Sequence, residues 1–144
     1  MQQHEVSYLA GIIDGEGTIT ILKRGNSFHP VVSIANTSLE LLRWCKARVG
    51  LPSVICTKKP QFANHSLSYH IQWRFDAALQ VTKMCLPYLI VKKSHAQTLL
   101  QWKSVVRRNG RYSSEELGSR NDIIHKIRAQ NSRPGWKRPV ENSL

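Results

Sequence analysis

Apolar and polar positions along the chain repeat with two different periods. A period of two residues, typical of strands, is clearest at residues 68–75 and also occurs at residues 18–24, 30–36 and 53–59. A period of three to four residues, typical of helices, occurs at residues 6–14, 38–50, 76–86 and 93–107. Two short polar helices are predicted near residues 114–118 and 120–129. The elements therefore follow the order α-β-β-α-β-β-α, with helices added at the C-terminal end.

This order predicts an α+β fold with one four-stranded, antiparallel, saddle-like sheet. The helices would cover one face of the sheet and leave the other face open. We expect residues 1–130 to form a single domain and residues 131–144 to be a basic, flexible tail. An open, twisted sheet face suits the major groove of DNA, where the edges of the bases can be distinguished.

The alternation also assigns side chains to the two faces of the sheet. On the first strand, Ile19 and Ile21 share the apolar face, opposite Thr18, Thr20, Leu22 and Arg24. On the second strand, Val32 and Ile34 lie opposite Ser33 and Ala35. The aromatic residues of the last strand share the apolar face, so core packing is favoured over base stacking for Tyr69, Trp73 and Phe75.

The charge balance indicates a polyanionic partner. Lys and Arg number 21 against 9 Asp and Glu, which gives a net charge of +12. Nucleic acid is the commonest such partner, although ribosomal RNA-binding proteins share this composition. We predict contacts to double-stranded DNA from polar and basic residues of the open face and its loops: Thr20, Arg24, Asn26, His29, Ser33, Lys58, Lys59, His70, Gln72 and Arg74.

Several classes of protein are disfavoured. No apolar run approaches the roughly 20 residues of a membrane span, and the N-terminus lacks the features of a secretory signal. We therefore expect an intracellular protein, in a compartment that the sequence leaves open. The 3 cysteines have no metal-ligand spacing and favour reduced, packed thiols over a disulfide framework. Nothing in the pattern indicates a small-molecule substrate.

The segment LAGIIDGEG, residues 9–17, places Asp14 and Glu16 at the end of the first helix. The negative end of the helix dipole disfavours a carboxylate at that position, and a bound cation would relieve the conflict. Mg²⁺ prefers carboxylate and carbonyl oxygens, and Gly15 and Gly17 allow a carbonyl and a side chain to be aimed together. The simpler alternative is a glycine-capped helix followed by an acidic turn.

This segment resembles the signature of the LAGLIDADG homing endonucleases. It differs by Ile12 for Leu, Gly15 for Ala and Glu16 for the final acid. The stretches IANTSLELLRW (residues 34–44) and LPYLIVKKSHAQ (residues 86–97) are similar to the family as well. The resemblance extends from about residue 8 to about residue 108 and includes the order of the elements.

The resemblance implies roles for individual residues. Glu16 would be the catalytic metal-binding carboxylate, with the carbonyl of Gly15 as a neighbouring ligand, and Asp14 would brace the helix end. Lys92 best matches the basic residue that the family places near the scissile phosphate, and Lys93 is its close competitor. The polar position after the second strand falls at residues 36–38, where Ser38 is the nearest match to a side chain that positions a water.

A single copy of the signature implies one half of a catalytic site. The resemblance therefore implies a homodimer that pairs its first helices through Leu9, Ala10, Ile12 and Ile13. The dimer would be an intron-homing nuclease that cuts both strands of a long pseudo-palindromic DNA site with Mg²⁺, or another divalent metal such as Mn²⁺, and leaves short 3′ overhangs. The alternatives are an RNA-binding intron maturase of the same fold without cleavage activity, and a plain basic RNA-binding protein of ribosomal type.

Overall fold

The computed structural model describes residues 1–106 and 110–132 of the chain. Its elements follow the predicted order: α1 (Gln3–Glu16), β1 (Gly17–Arg24), β2 (Ser27–Asn36), α2 (Leu39–Val49), β3 (Val54–Lys58), β4 (Ser68–Arg74), α3 (Asp76–Cys85), α4 (Lys93–Leu100), α5 (Trp102–Val105) and α6 (Ser114–Asn131). A 3₁₀ turn, Leu86–Tyr88, follows α3 directly.

The four strands form one antiparallel sheet in the order β1-β2-β4-β3. Gly25 turns the chain between β1 and β2 with a φ of 58°, a left-handed conformation that glycine adopts without steric cost. Helices α1, α2, α3, α4 and α6 pack against the strands, and the apolar sides of the strands are buried beneath them. The predicted α+β architecture, with a sheet covered on one face, is therefore confirmed.

The hydrophobic core lies between the sheet and the helices. Ile19, Ile21, Val32, Ile34 and Trp73 project into it from the strands, as the alternation predicts, and each is at most 1% exposed. The helices contribute the other half of the core: Leu9, Ala10, Ile13, Leu42, Cys45, Val81, Cys85 and Leu99. Burial of these side chains supplies most of the free energy of folding, at about 25 cal/mol per Å² of apolar surface.

The first helix runs into the sheet without a connecting loop. Gly17 ends α1 and begins β1, and its N–H donates to the carbonyl of Ile13. A Cβ atom at Gly17 would lie 2.7 Å from Cα and 2.8 Å from the carbonyl oxygen of Ile13. Only glycine therefore allows the strand to start this close to the last turn of the helix, and this connection fixes where the residues before Gly17 lie.

The C-terminal helical region differs from the sequence prediction. In place of two polar helices, one continuous helix covers Ser114–Asn131. Ser113 and Glu116 cap its beginning reciprocally, and Ile123, Ile124 and Ile127 bury one side of it. The capping and the burial outweigh the low helix propensity of Gly118, the residue at which the first of the two predicted helices ends. The predicted helix at residues 93–107 is divided at Gln101, and residue 107 lies outside the described residues.

The cysteines are free thiols, as predicted. Burial raises the pKa of Cys45 to about 11 and that of Cys85 to about 12, so both remain protonated at neutral pH. None of the helices in residues 1–106 and 110–132 combines the length and apolar character that crossing a bilayer requires. Of the predicted tail, residues 133–144 lie outside the described residues.

Two glycines with opposite surroundings test this packing. Gly17→Ala should lower the free energy of unfolding by about 1–3 kcal/mol, because its Cβ overlaps the backbone of Ile13. Gly118→Ala, with nothing within 4 Å of its Cβ in an exposed helix position, should raise it by about 1 kcal/mol. Denaturant unfolding of both variants measures the pair, and a neutral Gly17→Ala would contradict the tight junction.

Candidate functional site

The end of α1 that carries Asp14 and Glu16 lies at one edge of the sheet, which we call the acidic edge. The two carboxylates have different surroundings. The Asp14 carboxylate accepts the backbone N–H groups of Ile90, at 2.8 Å, and Lys92, at 2.9 Å. The ammonium of Lys92 folds back and donates to the carbonyl oxygen of Asp14 at 2.7 Å. Asp14 thus connects the end of α1 to the segment that leads into α4, which agrees with the bracing role expected from the sequence.

Glu16 is exposed, in contrast to the half-buried Asp14. One of its oxygens accepts a hydrogen bond from the side-chain amide of Asn36, the last residue of β2. The amide oxygen of Asn36 accepts the N–H of Ser38 at 2.7 Å, which holds the Asn36 side chain in place. A solvent-facing carboxylate is therefore held at the end of the first helix.

Ser38 has a different role from the one its position suggested. Its hydroxyl caps α2 by accepting the N–H of Leu41 at 3.3 Å. Asn36 is instead the polar side chain that adjoins Glu16. The sequence did point to residues 36–38, but the register of β2 decides which of them reaches Glu16.

The two competing lysines are placed differently. Lys92 precedes α4 and is half-buried, with its ammonium on the carbonyl of Asp14 and so beside the acidic segment. Lys93 is exposed as the first residue of α4. Lys92 is therefore the lysine that the structure brings to the acidic segment.

The oxygen atoms at this edge suit a hard divalent ion. The carbonyl of Gly15 lies in the last turn of α1, where carbonyls lack an intrahelical donor. Glu16 adds one carboxylate, and Mg²⁺ typically takes one or two carboxylates and completes its shell with waters and phosphates. Among the described residues, no three His, Cys, Asp or Glu side chains gather into a site. One chain therefore offers one exposed carboxylate and one helix-end carbonyl at this edge.

The strand register places most of the predicted DNA-facing residues together on the open face of the sheet: Thr20, Arg24, His29, Ser33, Lys58, His70, Gln72 and Arg74. Asn26 lies in the turn after β1, and Lys59 directly follows β3. Gln72 accepts two hydrogen bonds from Arg74, at 3.2 and 2.7 Å, so these two side chains form one unit. The open face thus carries polar and basic side chains on all four strands, together with the exposed apolar residues Leu22 and Val54.

Two aromatic residues, one in β2 and one directly after β4, differ from the sequence prediction. Phe75 was expected in the core, but it is 60% exposed and its ring stacks on that of His29, with centroids 4.9 Å apart. His29 is only 5% exposed beneath it, so the DNA contact predicted for His29 is not available in this structure. Burial, followed by the charges of Arg74 and Arg24, lowers the pKa of His29. Tyr69 and Trp73 pack against or within the core, as predicted.

The predicted dimer contacts require another correction. Leu9, Ala10 and Ile13 are at most 1% exposed within a single chain, so their side chains are not available to a partner. Ile12 alone of the predicted set is half-exposed. The helical period fixed the spacing of the apolar residues but not which face would meet the protomer's own sheet.

The outward face of α1 carries different residues. Tyr8, Gly11, Ile12 and Gly15 line a shallow groove together with Ser7, Glu16 and Leu41. Nothing lies within 4 Å of a Cβ built at Gly11 or Gly15. Tyr8 is 55% exposed and meets Trp44 edge to face at 5.0 Å. This groove-bearing face, which we call the glycine face, ends at Glu16.

Comparison with solved structures identifies the fold. The chain superposes on the homing endonuclease I-CvuI in complex with its target, in the presence of 2 mM Ca, with a TM-score of 0.71 and 18% identity over 96% of this chain and 87% of that one. The archaeal intron-encoded homing endonuclease I-Vdi141I, complexed with DNA, gives a TM-score of 0.73 and 17% identity over 96% and 91% of the two chains. The LAGLIDADG meganuclease I-AabMI, bound to uncleaved DNA, gives 0.62 and 17% over 83% and 43%. The chain therefore has the LAGLIDADG fold.

Sequence comparison adds less. No family model matches the chain. An uncharacterized protein of Methanocaldococcus jannaschii is 38% identical over 61 residues, which cover 40% of this chain and 23% of that protein. The matched segment thus spans less than a quarter of the length of this relative.

The two acidic residues should respond differently to substitution. Asp14→Ala should lower the free energy of unfolding by about 2–3 kcal/mol, because two backbone N–H groups lose a charged acceptor. Glu16→Gln, an exposed and isosteric change, should stay within about 0.5 kcal/mol of the parent chain. Denaturant unfolding compares them, and equal effects would contradict the division between a bracing and a solvent-facing carboxylate.

Proposed function

We propose that this chain, which has the LAGLIDADG fold, is a homodimeric, site-specific homing endonuclease that hydrolyses phosphodiester bonds in both strands of duplex DNA. One observation carries the proposal. At one edge of the sheet, the exposed Glu16 carboxylate is held by Asn36, and the Lys92 ammonium lies on the neighbouring Asp14 carbonyl. In a chain of net charge +12, this acidic point adjoins a basic open face suited to a polyanion.

The number of available carboxylates supports a dimer. One chain supplies one carboxylate, whereas cutting two strands requires two reacting centres. The glycine face of α1 supports close approach of a second copy, because Gly11 and Gly15 leave the helix backbone uncovered. A two-fold axis along this face would bring together the two copies of Glu16, which ends α1. Tyr8 and Ile12, rather than Leu9, Ala10 and Ile13, would provide the apolar contacts.

The open sheet face would read the DNA. A two-stranded ribbon fits the major groove, where each base pair presents a distinct pattern of donors and acceptors. Arg24, Lys58 and the Arg74–Gln72 unit are spread over three strands of this face and could reach phosphates or guanine edges. With +12 on each of two chains, binding would depend strongly on salt.

Each residue at the acidic edge would then have a stated role. Glu16 and the carbonyl of Gly15 would hold Mg²⁺, or another divalent ion such as Mn²⁺. When bound, the ion supplies activation of a water and neutralisation of charge on the phosphodiester. Asn36 would orient the Glu16 carboxylate and a water beside it. Lys92 would offset the charge that develops on the phosphate. Cuts on opposite strands would leave short 3′ overhangs.

An RNA-binding intron maturase of this fold is the main alternative. Binding RNA requires basic surface but no solvent-facing carboxylate beside it. Asn36 holds the Glu16 carboxylate by a hydrogen bond, and Lys92 lies on the neighbouring Asp14 carbonyl. Both contacts order the acidic edge. They therefore favour cleavage over binding alone, and they disfavour a plain ribosomal-type protein still more.

Two substitutions test the roles in cleavage. Glu16→Gln and Lys92→Met should each slow cleavage of a duplex target by about a hundredfold or more, because the first removes a carboxylate ligand of the metal ion and the second removes positive charge beside the reacting phosphate. The affinity of Glu16→Gln for the same duplex should persist. Strand cleavage is measured on denaturing gels with Mg²⁺, on a target recovered by binding selection. Lys93→Met is the matched control, and a loss of cleavage in that variant instead would transfer the role to Lys93.

Gly11→Leu tests the dimer. In one chain a Cβ at this exposed position meets nothing within 4 Å, and leucine favours a helix more than glycine does, so the free energy of unfolding at high dilution should not fall. In the dimer it would separate the two helices, so sedimentation should show a monomer that no longer cuts duplex DNA. Gly118→Leu, at another exposed helical glycine, should remain dimeric and active. A dimeric, active Gly11→Leu would rule out the glycine face as the interface.

A further inference from the structure

Phe75 has a backbone conformation that bulky residues rarely adopt. Its φ is 55° and its ψ is −132°, and it is the one non-glycine residue with a positive φ in residues 1–106 and 110–132. Such a conformation is normally left to glycine and costs on the order of 1–3 kcal/mol for other residues. Hydrogen bonds on both sides fix it: the N–H of Phe75 donates to Pro30 and its carbonyl accepts the N–H of Leu79.

This conformation redirects the side chain. By strand alternation, residue 75 would follow Ile71 and Trp73 into the core, where both are fully buried. The ring instead stacks on His29, with 27° between the ring planes. In the register, His29 lies opposite Leu22, on the open face of the sheet. The strained backbone therefore takes an aromatic ring out of the core and presents it on the open face.

The ring itself gains little burial from this arrangement, because it covers His29 but remains 60% exposed. Strained backbone conformations cluster at functional sites such as ligand clamps. Here the surface that would receive the ligand is the one proposed to lie against DNA.

The surroundings of the ring suit the major groove of duplex DNA. Arg74 directly precedes Phe75, and Arg24 lies on the same face of the sheet, so positive charge flanks the ring pair. Burial and these two arginines lower the pKa of His29, which leaves its ring neutral at physiological pH. The result is an uncharged aromatic patch beside arginines that can meet phosphates. In the major groove, the only apolar group on the base edges is the 5-methyl group of thymine.

We infer that Phe75 is a specificity-determining residue whose ring, supported by His29, contacts the 5-methyl group of a thymine in each half of the DNA target. This rests on the proposed function, because it requires duplex DNA on the open face. Replacing that thymine by deoxyuridine removes only the methyl group and preserves base pairing. The loss should be about fourfold in affinity, the amount expected for one buried methyl group.

The experiment is a deoxyuridine scan of the selected target. Each thymine is replaced in turn, and affinity is measured in the Glu16→Gln background so that the duplex stays intact. The parent background should show the loss at one position per half-site, and Phe75→Ala should remove the sensitivity at that position alone. Phe75→Gly should also remove it, yet should unfold at a higher temperature than Phe75→Ala, because glycine tolerates this φ.

Phe62→Ala is the matched control. Phe62 is 62% exposed, and its ring contacts His65 in the loop between β3 and β4 rather than the sheet. This variant should keep the full deoxyuridine sensitivity of the background. Sensitivity that persists at every position in both Phe75 variants would overturn the inference while leaving the proposed function standing. A parent chain that prefers no duplex sequence would overturn the proposed function, and the inference with it.

Discussion

The Asp14 carboxylate accepts hydrogen bonds from the backbone N–H groups of Ile90 and Lys92, which lie 76 and 78 positions further along the chain. This pair of charge-assisted hydrogen bonds connects the last turn of α1 to the segment before α4. The Lys92 ammonium returns to the Asp14 carbonyl, so the same contact sets the position of a basic side chain. Glu16 follows two residues later, at the helix end that this connection fixes. The geometry of the acidic edge therefore depends on a carboxylate that is itself occupied with backbone groups.

The two acidic residues show how the chain resolves a conflict of charge. Both lie at the negative end of a helix dipole, in the last turn that contains no basic residue. Asp14 is compensated by two backbone donors, whereas Glu16 accepts, from the part of the chain that the structure describes, only the neutral amide of Asn36. Under the proposed function, this unbalanced negative charge would attract a divalent cation at the point where the basic face brings in phosphates. The glycine face extends from this point along α1, and in the proposed dimer it would let a second chain contribute an equal charge.

Much of the fold could be predicted from the sequence because the alternation of apolar residues is clean. The strands and the buried sides of Ile19 and Trp73 followed from local patterns. The resemblance anticipated that Asp14 would be tied to the fold, and it is hydrogen-bonded to the segment before α4. The outward face of α1 did not, because both sides of that helix carry small or apolar residues and the period cannot say which side meets the sheet. Phe75 was placed in the core because alternation presumes a regular strand, and a positive φ leaves no mark in the residue type. The contact between Asn36 and Glu16 depends on strand register, which a single sequence does not determine.

The central claim is that two copies of one acidic edge act together on duplex DNA, and the symmetry of the target measures it most directly. The wild-type chain would be incubated with a randomised duplex library and Mg²⁺, and the cut molecules would be sequenced. The account predicts one family of targets made of two inverted half-sites, with the cuts on the two strands placed symmetrically about their centre. Cut molecules whose consensus has no two-fold relation, or the absence of any cut molecules, would contradict it.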